Sequence, residues 1–110
     1  MDFVMESLFD EEQHCWLVSI TGEVDIFNSN EMKTKLLELW NERQADLVID
    51  CKTLEYIDST ALGALVAVLK NVRSNDSQVH LRNVRPNLLK LFRITNLDKV
   101  FVMDGEADAK

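Results

Sequence analysis

The chain has 110 residues, 46% apolar and 28% charged, the length and mixture of one soluble globular domain. Nineteen acidic against twelve basic residues give a net charge of −7, which argues against nucleic acid or direct insertion in an anionic membrane. No stretch approaches the roughly 18 apolar residues of a membrane span. The acidic opening Met1-Asp2-Phe3-Val4-Met5-Glu6 lacks the basic and apolar regions of a secretion signal, so a cytoplasmic location is expected. Three glycines, at 22, 63 and 105, are too scattered for a dinucleotide or phosphate-cradling loop, and no cofactor is expected. Cys15 and Cys51 stand far apart in apolar stretches, which favours two buried thiols over a bridge. Neither has metal-ligand spacing with His14 or His80.

Residues 3–9 alternate loosely and end in the polar turn Asp10-Glu11-Glu12-Gln13. Residues 15–20 read as a second strand, rich in aromatic and β-branched side chains and closed by Thr21-Gly22; the short link predicts an antiparallel hairpin. From Asn28 the period changes. Asn28 with Glu31 three residues on has the pattern of a capping box, and Met32, Leu36, Leu39, Trp40 and Arg43 follow at helical spacing, predicting a helix over about 29–43. Leu47-Val48-Ile49, flanked by Asp46 and Asp50, has the continuous apolar character of a central strand. Leu54-Glu55-Tyr56-Ile57 leads into Asp58-Ser59-Thr60, where a second helix begins and continues through Arg73. Residues 74–77 form a turn cluster, and 78–81 read as the next strand. Pro86 suits the first turn of a helix whose inner face is Leu88, Leu91, Phe92 and Ile94. Residues 100–103 read as the last strand, with a polar tail over 104–110 expected to fray. The order β-β-α-β-α-β-α-β predicts an α/β fold: a mostly parallel central sheet covered by helices, with an antiparallel N-terminal hairpin strand.

The informative stretch is Tyr56-Ile57-Asp58-Ser59-Thr60-Ala61-Leu62-Gly63-Ala64-Leu65. On a helix, Ala61, Leu62, Leu65, Val66, Leu69 and Val72 share the side that covers the sheet. Thr60, Gly63, Ala64, Ala67 and Asn71 share the other, and all are small or polar. A solvent-facing helix normally carries Lys and Glu, and Gly63 costs the helix about 1 kcal/mol relative to Ala. One reading is a helix buried on both sides. The favoured reading is a docking surface that another backbone approaches closely.

Asp58 or Ser59 at the helix start is explained simply as an N-cap. A serine hydroxyl there also suits phosphorylation, because the dianion gains bonds from the open helix N–H groups. It would place about −1.5 to −2 of charge beside Asp58 and the small-residue patch, blocking a close, dry interface. A nucleophilic Ser59 is disfavoured, because the context is not the Gly-x-Ser-x-Gly elbow and neither histidine is marked as a base. The chain is therefore not expected to be an enzyme.

Asp58-Ser59-Thr60-Ala61-Leu62-Gly63 after an apolar strand resembles the phosphorylation loop of bacterial anti-sigma factor antagonists, the STAS domains. Gly22-Glu23-Val24-Asp25 matches the family's Gly-Glu-(apolar)-Asp segment. The similarity continues through Leu47-Val48-Ile49-Asp50 and Pro86-Asn87-Leu88-Leu89-Lys90-Leu91-Phe92, about residues 3–103 of a single domain spanning 1–110. The resemblance implies partner switching. The unphosphorylated form binds an anti-sigma factor that is also a serine protein kinase, and thereby frees a sigma factor. Phosphorylation of Ser59 ends the binding, and a PP2C-type phosphatase restores it. Asp25, Asp58, Ser59, Thr60, Gly63, Ala64 and Ala67 are the implied partner-binding residues, and ATP and Mg²⁺ belong to the kinase. Ala61 stands where the family usually has Gly, adding a methyl where a kinase approaches. The tail lacks the apolar residues of the family's last helix, which is expected to be short or missing.

Two other functions stay open on the sequence. One is a constitutive, unphosphorylated STAS subunit of a membrane transport or signalling complex. The other is a small flavodoxin-like carrier, disfavoured by the missing phosphate loop. The bases Arg82, Arg85, Lys90 and Arg93 read as a solvated face, and Trp16 and Trp40 as core residues.

Overall fold

The computed structural model describes residues 2–106, with side chains through 104. A hairpin of β1 (Phe3–Asp10) and β2 (Cys15–Val24) leads into α1 (Ser29–Glu42), β3 (Asp46–Asp50) and β4 (Leu54–Ile57). Then follow α2 (Ser59–Arg73), β5 (Val79–Val84), α3 (Pro86–Ile94), a 3₁₀ turn (Leu97–Lys99) and β6 (Val102–Glu106). The strands lie in the order β1-β2-β3-β5-β6, with β4 also paired to β2. Only β1–β2 is antiparallel among these pairings.

β2 runs beyond the Thr21-Gly22 stop read from the sequence, and β4 is a strand in its own right. Gly22 makes both possible. Its φ is +108°, and a Cβ there would lie 2.5 Å from the Asp2 carbonyl oxygen, so no other residue fits where β1 begins. The register shift between Gly22 and Glu23 marks a bulge at which β2, paired with β3 through Ser19, takes β4 as its neighbour.

The core lies on one side of the sheet. Trp16, Val18 and Ile20 of β2, Leu47 and Ile49 of β3, and Val79 and Leu81 of β5 meet all three helices there. Among the described residues the helices thus cover one face, unlike the two-sided layering of a flavodoxin-like domain. α1 contributes Met32, Leu36 and Trp40; α2 contributes Ala61, Leu62, Leu65, Val68, Leu69 and Val72. Val68 takes the place expected for Val66, which is only half-buried, because the buried stripe follows 3.6-residue spacing down the helix. In α3 the buried set is Leu88, Leu89 and Phe92, whereas Ile94, on the last turn, is 68% exposed. Arg43 is not an inner-face residue: it follows the last turn of α1, bonds Glu11 at 2.8 Å and sits 3.8 Å over the Phe9 ring. That ion pair holds the Glu11 carboxyl below its usual range.

Val100 turns to solvent, so the last strand starts at Val102 and takes in Asp104–Glu106, which the sequence reading assigned to a fraying tail. The expected loss of a final helix falls on 107–110, outside the described residues. Both tryptophans are buried and satisfied: Trp16 Nε1 donates to the Arg43 carbonyl at 3.0 Å, and Trp40 Nε1 to Ser77 Oγ at 2.9 Å. Cys15 and Cys51 are buried free thiols; burial pushes Cys15 up and Cys51 up to about 12. Arg82, Lys90 and Arg93 are exposed, and Arg85 donates to the Lys52 carbonyl at 3.1 Å.

Candidate partner-binding site

β2 and β4 end side by side, with Val24 opposite Ile57. The residues that follow, Asp25 and Asp58, therefore meet at the C-terminal edge of two parallel strands, where loops of an α/β sheet usually gather function. Asp58 has extended backbone geometry and caps α2: its Oδ1 accepts from Ala61 N–H at 2.8 Å. Its Oδ2 accepts from Ile26 N–H at 3.0 Å, tying the β2–α1 loop to the helix start. The simple capping explanation therefore holds for Asp58. It leaves Ser59 free of that duty.

The β2–α1 loop is organised by its own side chains. Asp25 Oδ1 accepts from Phe27 N–H at 2.9 Å, an Asx turn. Asn28 Oδ1 accepts from Asp25 N–H at 2.8 Å, and Asn28 Nδ2 donates to the Glu23 carbonyl at 3.0 Å. Asn28 does occupy the N-cap position of α1, but its side chain makes no capping bond, so the expected capping box is not formed there. An amide carries donor and acceptor together and satisfies two backbone groups of the loop, where capping would satisfy one. Glu31 pairs instead with Lys35, four residues on, at 3.3 Å.

Ser59 and Thr60 are the first two residues of α2, and both are exposed. Neither hydroxyl has a hydrogen-bond partner among the described residues. Asp58 takes the N–H groups of Ala61 and Leu62, through Oδ1 and its carbonyl respectively. Among the described residues, the N–H groups of Ser59 and Thr60 have no acceptor and stand open at the positive end of the helix dipole.

Below them, Thr60, Gly63, Ala64 and Ala67 form one wall of a shallow groove of about 360 Å³; Ser29, Asn30 and Lys33 of α1 form the other, with Ile26 completing it. Ala64 and Ala67 are half-buried because α1 lies alongside, so the two-sided burial reading accounts for part of the stripe. Thr60 and Gly63 are open. A Cβ on Gly63 would meet nothing within 4 Å, so the fold itself does not demand glycine there. Ala61 is fully buried, its methyl in the core; it does not obstruct an approach to Ser59, contrary to the expectation from the family pattern.

The structure thus brings together Asp25, Asp58, Ser59, Thr60, Gly63, Ala64 and Ala67 around one helix start and groove. It adds residues that sequence reasoning missed. Ile26 is 62% and Phe27 92% exposed on the adjoining loop, and Tyr56 is half-exposed on β4. Two large apolar residues between Asp25 and Asn28, in a segment with neither strand nor helix period, were the available signal. Among the described residues no group of three potential metal ligands occurs, and no helix is long and apolar enough to cross a membrane.

The fold and this surface define a class: small α/β domains with helices on one sheet face and an open, shallow groove at a helix start. The particular family follows from comparison. The STAS domain family matches residues 8–109, and the chain belongs to that family. It is 34% identical over 91 residues to the anti-sigma-B factor antagonist of Bacillus subtilis, covering 83% of each chain. Among solved structures, a Thermotoga maritima protein superimposes with a TM-score of 0.83 at 20% identity, over 91% of this chain and 85% of that one. The Bacillus cell-fate determinant SpoIIAA in its phosphorylated form gives 0.70 at 17% identity, over 98% and 96%. These two likenesses show the fold.

Proposed function

We propose that this chain is an anti-sigma factor antagonist whose binding is switched by phosphorylation of Ser59. The observation that carries the reading is the division of labour at the start of α2. Asp58 commits both carboxylate oxygens to backbone N–H groups, while Ser59 beside it is exposed, unbonded and next to open N–H donors. A serine needed only as a cap would be engaged. The B. subtilis relative, at 34% identity, supports the antagonist role.

In the unphosphorylated state, the small residues at 60, 63, 64 and 67 let a partner backbone come close, and exposed Ile26 and Phe27 supply apolar anchors at the rim. The partner on this reading is an anti-sigma factor with serine kinase activity; a PP2C-type phosphatase resets the switch. A phosphate on Ser59 gains bonds from the helix N–H groups, so it is held in place. Its charge of about −1.5 to −2 then stands at the groove mouth beside Asp58 and Asp25, where a dry interface cannot form. The protein acts by occupying a partner, and catalysis belongs to the kinase and phosphatase.

The test combines two measurements. Titration of the host's anti-sigma factor should show Ser59→Ala binding like the parent and Ser59→Asp binding at least about tenfold more weakly, the scale of one unpaired charge at an interface. Cleavage after Lys52 and Lys70 releases residues 53–70, whose mass spectrum should locate phosphate on Ser59 with occupancy that differs between growing and stressed cells. Equal binding by both variants overturns the switch. An unmodified peptide in every condition, and after incubation with host lysate and ATP, favours a constitutive subunit.

A further inference from the structure

The face of the sheet opposite the helices is uncovered among the described residues, although parallel strands are normally buried on both faces. Strand register arranges this face in rows. Leu8, Leu17, Val48, His80 and Val102 lie opposite one another across β1, β2, β3, β5 and β6, one residue per strand. Two residues further along each strand, the adjacent row is Glu6, Ser19, Asp50, Arg82 and Asp104. On the other side of the apolar row stand Asp10, Cys15 and Asp46.

The central row is apolar except for His80, and it opens toward β1: Leu8 is 66% exposed, Leu17, His80 and Val102 are half-buried, and Val48 at the middle is buried. His80 lies between two carboxylates, with Nε2 3.0 Å from Asp46 Oδ2 and Nδ1 3.1 Å from Asp104 Oδ2, and so joins the flanking rows. Arg82 approaches Asp104 at 4.0 Å and is the one lysine or arginine in these rows. A groove of about 520 Å³ runs over the middle, lined by Glu6, Leu8, Leu17, Val48, Asp50 and Arg82.

We infer that this face is a docking surface for an amphipathic helix of a partner protein, with an apolar stripe flanked on both sides by Lys or Arg. The dimensions fit. Five strands about 4.8 Å apart span roughly 19 Å, the length of a helix of about 13 residues. Flanking rows each about 6.7 Å away lie about 13 Å apart, matching the 10–12 Å width of a helix that extends basic side chains to both sides. Charge selects the occupant. An acidic helix meets like charge from Glu6, Asp10, Asp46 and Asp50, a neutral helix gains no ion pair from them, and a second copy of this chain brings acidic rows against acidic rows. The inference stands apart from the Ser59 reading, because none of these residues belongs to the α1–α2 groove.

The test titrates isotopically labelled full-length chain with a synthetic 14-residue helical peptide carrying a leucine stripe with lysines on both flanks. A control has the same stripe with glutamates. The lysine peptide should shift the amide resonances of Leu8, Leu17, Val48 and Val102 and leave Thr60, Gly63 and Ala67 unmoved. The glutamate peptide should bind at least about tenfold more weakly, and Leu8→Lys or Glu6→Lys, both exposed on an edge strand, should each weaken the lysine peptide by about tenfold. Equal binding of both peptides, shifts centred on the α1–α2 groove, or no binding overturns the inference. So does dimerisation, seen by sedimentation, that Leu8→Lys abolishes, since the occupant is then a second copy.

Discussion

α1 and α2 lie side by side on the same sheet face, with 14 and 15 residues, and differ mainly on the side turned outward. Their inner sides are built alike, with buried Met32, Leu36 and Trp40 on one and Ala61, Leu65, Val68 and Val72 on the other. Outward, α1 shows Glu31, Lys35, Glu38 and Asn41, an ordinary solvated surface with an i,i+4 ion pair. α2 shows Ser59, Thr60, Gly63, Ala64 and Ala67, and has no charge before Lys70. The starts contrast as well: α2 has a side-chain cap in Asp58, whereas Asn28 turns its amide to the loop. Packing accounts for the inner faces of both helices and, through contact with α1, for part of the small-residue stripe of α2. Exposed Ser59, Thr60 and Gly63 are what packing leaves unexplained.

The comparison can be broken at the inner faces first. Leu36→Ala and Leu65→Ala each remove a fully enclosed side chain and should each destabilise the domain by about 2–5 kcal/mol, read from urea unfolding. A much smaller loss on α2 would show that its inner face is not core.

The next largest effect lies at the caps. Asp58→Ala removes two bonds to backbone N–H groups and should cost about 2 kcal/mol, with Asp58→Asn recovering part of it through the retained oxygen. Amide exchange should rise at Ile26 and Ala61 together. In Asn28→Ala it should rise at Asp25, in the loop, rather than in the first turn of α1.

The smallest effects sharpen the outer-face contrast. Gly63→Ala should stabilise the domain by about 1 kcal/mol, because the added methyl meets open space and alanine favours helix. For a domain this size that is a rise in Tm of about 4–8 °C. Lys35→Ala on α1 should change stability by only a few tenths of a kcal/mol, roughly the value of one i,i+4 pair. If Gly63→Ala also weakens the anti-sigma factor while Lys35→Ala does not, the bare face is the interface.

Much of this was legible in the chain because it is written locally. Hydrophobic period gave away five of the six strands, the three helices and most of their inner faces, since the spacing of apolar residues is set by helix and strand geometry alone. The motif around Asp58 and Ser59 was legible for the same reason, as neighbouring residues that declare a helix start. The misses were decided by three-dimensional packing and bonding that the spacing of residues does not reveal. Asn28 has the pattern of a cap, yet the backbone of residues 23–25 outbid the helix for its amide. Ala61 sits in a motif about partner approach, yet packing against the sheet turned its methyl inward. Ile94 continued an apolar pattern past the point where α3 still faces the core.

The sequence by itself determined the α/β class, the order of most elements, the buried cysteines and tryptophans, and a candidate serine at a helix start. Those follow from period, capping chemistry and turn residues within a few positions of one another. Only the tertiary structure decided that β4 extends the sheet beside β2, that Asp25 and Asp58 end adjacent strands, and that α1 completes the groove begun by α2. It alone decided that the described helices pack on one face, leaving a mostly apolar row with acidic flanks on the other. The reason is register: a row drawn across five strands joins residues from 8 to 102, whose alignment depends on strand pairing that no local pattern encodes.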